Sequence, residues 1–443
     1  MKRKITTATY LTLSLPATAM GFALCVQIAA LSWILSTRYG LNLEEIGYVW
    51  LAGPVAGILG QVIIGVVSDK VWFWGGRRRP FILIGGVVAA LMILALPHLD
   101  VIGSALGLDG VIGVAITVAL LLDLAINVSF NPARSIIADV TPAGEARTRG
   151  YTWMQTISGF FGVLAYLIGA FVSNYFLIYL GAVIVFLFAV VPPLFIAEPR
   201  ALADAGEVAG DPEVQSGLVA EVGGDAGAGP GRSGTDWPAF LRICLAHAFT
   251  WVGVQTMFIY TFGFIREEIL GLDPAAPLTA EQSGDIGFSI GVAFAILNTV
   301  GFLLPALVLE PLAERIGRVR THTAAIAVAA VGYLAIVYLG TSLAAFFLLM
   351  AVVGVGWAAV VSLPFAIMSE VVDQRRMGLF MGLFNLSVVL PQIVASNLGG
   401  LIEASPEKDI IFWIAAGALG ASAVLWLWVR EPAAGATSPG GAG

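Results

Sequence analysis

The chain has 443 residues, of which 58% are hydrophobic and only 12% charged, against roughly 45–50% and about 25% in soluble domains. A globular interior cannot hide that much apolar surface. The sequence therefore reads as an integral membrane protein and excludes a disordered chain, a secreted disulfide scaffold and a nucleic-acid binder.

About 20 apolar residues cross the ~30 Å of bilayer hydrocarbon. Twelve segments are long enough: 11–37, 46–68, 81–97, 111–135, 152–172, 175–196, 239–263, 285–309, 322–340, 343–368, 378–402 and 410–429. Long continuous runs exclude a β-barrel, whose strands alternate over about ten residues. The first segment follows Met1, Lys2, Arg3 and Lys4 and is too long for a signal-peptide core, so it reads as a retained helix. With the N-terminus inside, 19 of the 22 lysines and arginines fall on the cytoplasmic side, and only Arg38, Arg266 and Lys408 fall opposite. Such a split sets the direction of every segment and places both termini in the cytoplasm, with the plasma membrane as the host bilayer. Cys25 and Cys244 stand in apolar runs and read as inert buried thiols.

The expected fold is an all-α membrane protein: twelve transmembrane helices in two pseudo-symmetric six-helix bundles, residues 1–196 and 237–431. Between them, 197–236 is rich in Gly and Ala. It carries eight acids, Glu198 and Asp236 among them, against Arg200 and Arg232. It holds about −6 of the net −7 and reads as a solvated linker. Residues 432–443 read as a flexible tail. The halves echo each other: 65-GVVSDKVWFWGGRRRP-80 follows the second segment, and 313-AERIGRVR-320 follows the eighth. A polar turn repeated at matched positions points to internal duplication, an architecture of alternating-access transporters.

In the first turn, Asp69, Gly76, Arg77, Arg78 and Arg79 form a candidate latch favouring an outward-open state. Gly76 brings two helix ends together and Asp69 faces the positive end of the helix starting near Gly378. The competing reading is that the arginines only set topology. Glu314 and Arg315 are the counterparts in the second half.

Within the bilayer, Asp123 stands midway along the fourth segment. An ionised Asp there costs at least ~2.5–3.5 kcal/mol. No Lys or Arg stands at mid-depth elsewhere to pair with it, and a low-dielectric setting favours the neutral acid. A carboxyl that gains and loses a proton is what proton coupling needs; the alternative is a structural Asp hydrogen-bonded in the bundle. Asn127 lies one turn along on the same face, suited to polyol hydroxyls or to a helix–helix bond. Arg134 stands ~16 Å of helix beyond Asp123, out of its direct reach. It is a candidate partner for Asp139, a gate residue, or a topology marker.

Gln27, Gln155, Gln255, Asn298, Asn385, Gln392 and Asn397 either line a cavity or join helices. Trp153, Trp251, Tyr260 and Trp357 either stack on a sugar ring or pack. Arg266 and Glu267 form either an outer gate or a solvated pair. His98, His247 and His322 lack metal-ligand spacing, no metal or cofactor is expected, and the absence of a Walker loop argues against ATP-driven transport. Nothing assembles a nucleophile, so no enzymatic activity is expected.

Four stretches carry a family resemblance: 48-YVWLAGPVAGILGQVIIGVVSDKVWFWGGRRRPFI-82, 121-LLDLAINVSFNPARSIIADVTP-142, 362-SLPFAIMSE-370 and 378-GLFMGLFNLSVVLPQIVAS-396. Together they resemble the sucrose:proton symporters, of the glycoside–pentoside–hexuronide:cation group within the major facilitator superfamily. The resemblance implies an inward-directed, proton-driven transporter of a disaccharide or related glycoside such as sucrose or maltose. It puts the proton and sugar on Asp123 and Asn127, coupling on Arg134, and the family's Arg-Glu pair on Arg266 and Glu267. The chain departs from plant members at 260-YTF-262 and at Leu43, so the resemblance implies a glycoside without fixing which. Sodium-coupled relatives carry acids inside the second helix, and 46–68 has none. The partners expected are a sugar, protons and the lipid bilayer, with the chain a monomer. A proton-coupled antiporter or exporter of another small solute stays open as the alternative.

Overall fold

The computed structural model describes residues 6–58, 72–141, 145–196, 198, 234–274, 276–373 and 376–431. Asp69, Lys70, the interior of the acidic segment and the tail lie outside the described residues. The described chain is helical and contains no strand, only an isolated bridge between Phe73 and Gly76. We number the helices α1 (Thr7–Thr37), α2 (Leu43–Trp50), α3 (Arg79–Ala95), α4 (Ile112–Val140), α5 (Glu145–Phe171), α6 (Asn174–Phe195), α7 (Trp237–Phe264), α8 (Ala280–Leu304), α9 (Arg318–Leu339), α10 (Leu343–Ser369), α11 (Met377–Ser396) and α12 (Ile410–Trp426). Ten of the helical runs are long and apolar enough to cross a membrane. Of the twelve segments read from the sequence, the last is a shorter apolar helix, and the second is described only as far as residue 58.

Hydrocarbon offers backbone groups no partner, so each crossing run must satisfy its own N–H and C=O groups as a helix. Where the chain meets water, short polar side chains take over the free N–H groups. Thr6 caps α1, Ser173 caps α6, Asp236 caps α7 and Ser342 caps α10. Asn42 with Glu45 and Thr279 with Gln282 form reciprocal capping boxes at α2 and α8.

The packing repeats. In the first half α1 packs on α5 and α6, and α3 packs on α4 and α6. Six helices later α7 packs on α11 and α12, and α9 packs on α10 and α12. The recurrence is what duplication of one six-helix unit produces. Between the halves, α5 lies along α8, and α2 meets the segment Gly399–Glu403.

Candidate functional site

Asp123 lies in the interior of α4. With Asn127, Phe130 and Arg134 it follows the i, i+4, i+7, i+11 spacing of one helical stripe, and all four are buried. The Asp123 carboxyl is buried, and Gln27 of α1 donates its Nε2 hydrogen to Asp123 Oδ2 at 3.0 Å. Behind it, Oδ2 comes 3.5 Å from where a side chain on Gly53 would begin. Asn127 Nδ2 donates to the Asp123 backbone carbonyl at 2.8 Å. At the far end of the stripe the Arg134 guanidinium lies 4.2 Å from the centroid of the Phe130 ring, a cation–π contact. An amide is a versatile neighbour for an acid. Its NH2 donates to a carboxylate, and its oxygen accepts from a protonated acid after the amide turns over. Gln27 can therefore serve both protonation states of Asp123 without adding charge.

A narrow cleft of about 30 Å³ lies between the halves, room for a water or two in this state; a sugar-sized site of ~300–1,000 Å³ requires the halves to part here. Each half supplies two helices. Cys25 comes from α1, Gln155 and Ser158 from α5, Asn298 and Phe302 from α8, and Trp357 from α10. The Trp357 indole donates to Asn298 Oδ1 at 3.3 Å, while Asn298 Nδ2 donates to the Phe294 carbonyl at 2.9 Å. Of the expected sugar-binding residues, Gln155 and Asn298 meet here. Asp123, Asn127 and Gln27 form their own cluster in the first half. Trp153 and Asn385 are half-buried elsewhere, off this wall. Trp251 is 4% exposed and donates to His247 Nε2 at 2.9 Å, and Gln255 accepts from Gln392 at 3.3 Å. Both belong to the packed interior. Cys25 and Cys244 are only partly covered, so the expectation of two buried thiols is corrected, and Cys25 lies on the cleft wall.

At the arginine-rich end, Arg77 and Arg78 both reach Asp139 of α4, at 2.9 and 3.3 Å. The backbone N–H groups of Arg77, Arg78 and Arg79 donate to the Glu198 carboxylate at 2.7–2.9 Å. Glu198 thus caps α3 from the far end of α6. A side chain on Gly76 would strike Glu198 Oε1, which gives that glycine its reason. The second half repeats the device: Arg318 and Val319 N–H donate to Glu431 at 2.7 and 3.0 Å, beside Gly317 at φ +95°. Arg318 also pairs with Glu370. Glu314 and Arg315 are exposed on the short helix before this turn. Glu198 and Asp236, which composition assigns to a solvated linker, are instead helix caps. An acid standing among other acids looks like part of the run, and the signal that could have separated it is the Glu-Pro pair that ends both halves, 198–199 and 431–432.

The opposite end is shut by contacts between the halves. Ser32 Oγ donates to the Ile259 carbonyl at 3.0 Å, Trp33 Nε1 to the Ser283 carbonyl at 2.7 Å, and the Leu43 N–H to Glu403 at 2.9 Å. Gly47 packs on the Ser396 carbonyl, where a side chain would also meet Tyr260 Oη at 2.5 Å. Arg266 and Glu267 work separately here. Arg266 binds the carbonyls of Asp273, Pro274 and Ala276, and Glu267 lies 3.4 Å from the Lys408 ammonium.

The model of the Major Facilitator Superfamily matches residues 11–396 and, again, 288–443. The sucrose transport protein SUC4 of Arabidopsis thaliana is 25% identical over 395 residues, covering 79% of this chain and 75% of that protein. The sucrose transport protein SUT2 of Oryza sativa subsp. indica is 26% identical over 405 residues, covering 79% and 77%. Among solved structures, a mutant of the nucleoside transporter NupG superposes with a TM-score of 0.67 at 14% identity, covering 95% of this chain and 99% of that one. The helical pairing, the repeated capped turns and the family match agree on a membrane transporter rather than an enzyme. The chain belongs to the major facilitator superfamily.

Proposed function

We propose that the protein is a proton-coupled symporter that takes up a disaccharide or related glycoside by alternating access, with Asp123 as the proton site and the cleft between the halves as the sugar site. The observation that carries the reading is the Asp123 carboxyl, buried in the first half and hydrogen-bonded to the neutral amide of Gln27. A carboxyl tied to an arginine would stay ionised; one facing an amide is free to change its charge. The names of the similar plant proteins support a sugar as cargo. The arginine-rich end faces the cytoplasm, as the charge split requires. The state described is then one in which access from outside is closed.

Coupling follows from differential affinity. Proton and sugar each favour the closed, transferring state only slightly, and together they favour it enough to move the halves. In reconstituted vesicles, sucrose or maltose added outside should alkalinise the external medium. Asp123→Asn should abolish accumulation against a gradient while leaving sugar exchange and the folded state intact. A variant that still concentrates sugar would remove Asp123 from the mechanism.

A further inference from the structure

The sugar cleft has a back wall that the sequence alone does not reveal. Trp357, on the cleft, is held edge-on by two rings behind it: Trp251 at a centroid distance of 6.2 Å and 82°, and Phe258 at 5.3 Å and 79°. Trp251 is itself fixed by its one polar atom, the indole N–H, which donates to His247 Nε2 one helical turn earlier at 2.9 Å. His247 is fully buried, and Phe384 of α11 stacks flat on its ring, with centroids 4.9 Å apart and planes 14° apart. A ring clamped on its face and accepting at Nε2 is in one tautomer, with the proton on Nδ1.

We infer that His247 is a positioning residue for the sugar cleft: by accepting the Trp251 N–H it locks Trp251, which in turn sets the angle of the Trp357 ring that a sugar meets. The inference rests on the cleft being the sugar site. A pyranose ring stacks on an aromatic face only if that face is aimed at it. A buried indole N–H left without its acceptor turns to find another, carrying the edge contact with Trp357 away.

The test uses the full-length protein in proteoliposomes with radiolabelled sucrose, in a Cys244→Ser background that leaves Cys25 as the sole thiol. His247→Leu removes the acceptor. His247→Gln restores an oxygen at the position of Nε2. Trp251→Phe removes the donor and keeps most of the ring. The expected result is a KM for sucrose raised about tenfold in His247→Leu and in Trp251→Phe, the size of one lost hydrogen bond. Maximal rate should stay within about twofold, His247→Gln should lie near wild type, and the double variant should be no worse than either single one. The labelling rate of Cys25 by a small thiol reagent should change in the same variants and recover in His247→Gln, a readout that needs no transported solute. Asn298→Ala separates the relay from the cleft itself. If it raises KM while His247→Leu does not, the relay is wrong and the cleft stands; if neither does, the sugar binds elsewhere. Equal effects of His247→Leu and His247→Gln, or a loss confined to maximal rate with Cys25 labelling unchanged, would also overturn the relay.

Discussion

Single side chains decide much of this molecule, and they differ in how plainly the sequence displays them. Asp123 is legible because hydrocarbon makes a lone acid conspicuous. Its partner Gln27 is one of several intramembrane amides, and nothing in the linear sequence says which of them faces the carboxyl. Glu198 is hidden for the opposite reason, since it stands in a segment full of acids. Its three backbone hydrogen bonds are charge-assisted, each worth about 1.5–3 kcal/mol where solvent is excluded and less where it is not. Glu198→Ala should therefore lower the unfolding temperature of the solubilised protein more than Glu198→Gln does, whereas Ala substitution of the exposed Glu314 should leave it unchanged. A thermal-shift measurement on the three variants checks the order. Arg77 and Arg78 keep Asp139 in either substitution, so the arginine cluster should persist while the helix start loosens.

At the scale of elements, the seam that closes the opposite end is built from α1 and α2 on one side and α7, α8 and α11 on the other. Its hydrogen bonds run from side chains or N–H groups of one half to carbonyl or carboxylate oxygens of the other. Any opening at this end has to break them. Close approach is possible because Gly47 presents bare backbone to Ser396. Gly47→Val should hold the seam apart, since the added atoms would fall on the Ser396 carbonyl and the Tyr260 hydroxyl. With Cys244 replaced by Ser, an impermeant thiol reagent supplied from the opposite end should then label Cys25 several-fold faster than in the parent. Unchanged labelling would mean that the seam is not the barrier. The sequence announces helices well, because apolar length is enough to define them, but it does not announce seams. Ser32, Trp33 and Leu43 look like ordinary helix-end residues until the second half is placed against them.

For the whole molecule, the repeat is the most legible feature. The two polar turns quoted from the sequence stand at equivalent places, and the helix pairings recur six helices apart. What the linear sequence leaves out is the partner of each turn: Glu198 and Glu431 are 121 and 113 residues away from the first N–H they accept. The chain between the halves is fastened at both ends by the half it adjoins. Glu198 is bound to α3, while the Asp236 N–H donates to the Val371 carbonyl at 2.9 Å and its side chain caps α7. Neither end depends on the other for its anchorage. The peptide joining them can accordingly be severed: two genes, encoding 1–200 and 234–443, expressed in one cell should reassemble into a working transporter, with uptake recovered only when both fragments are present.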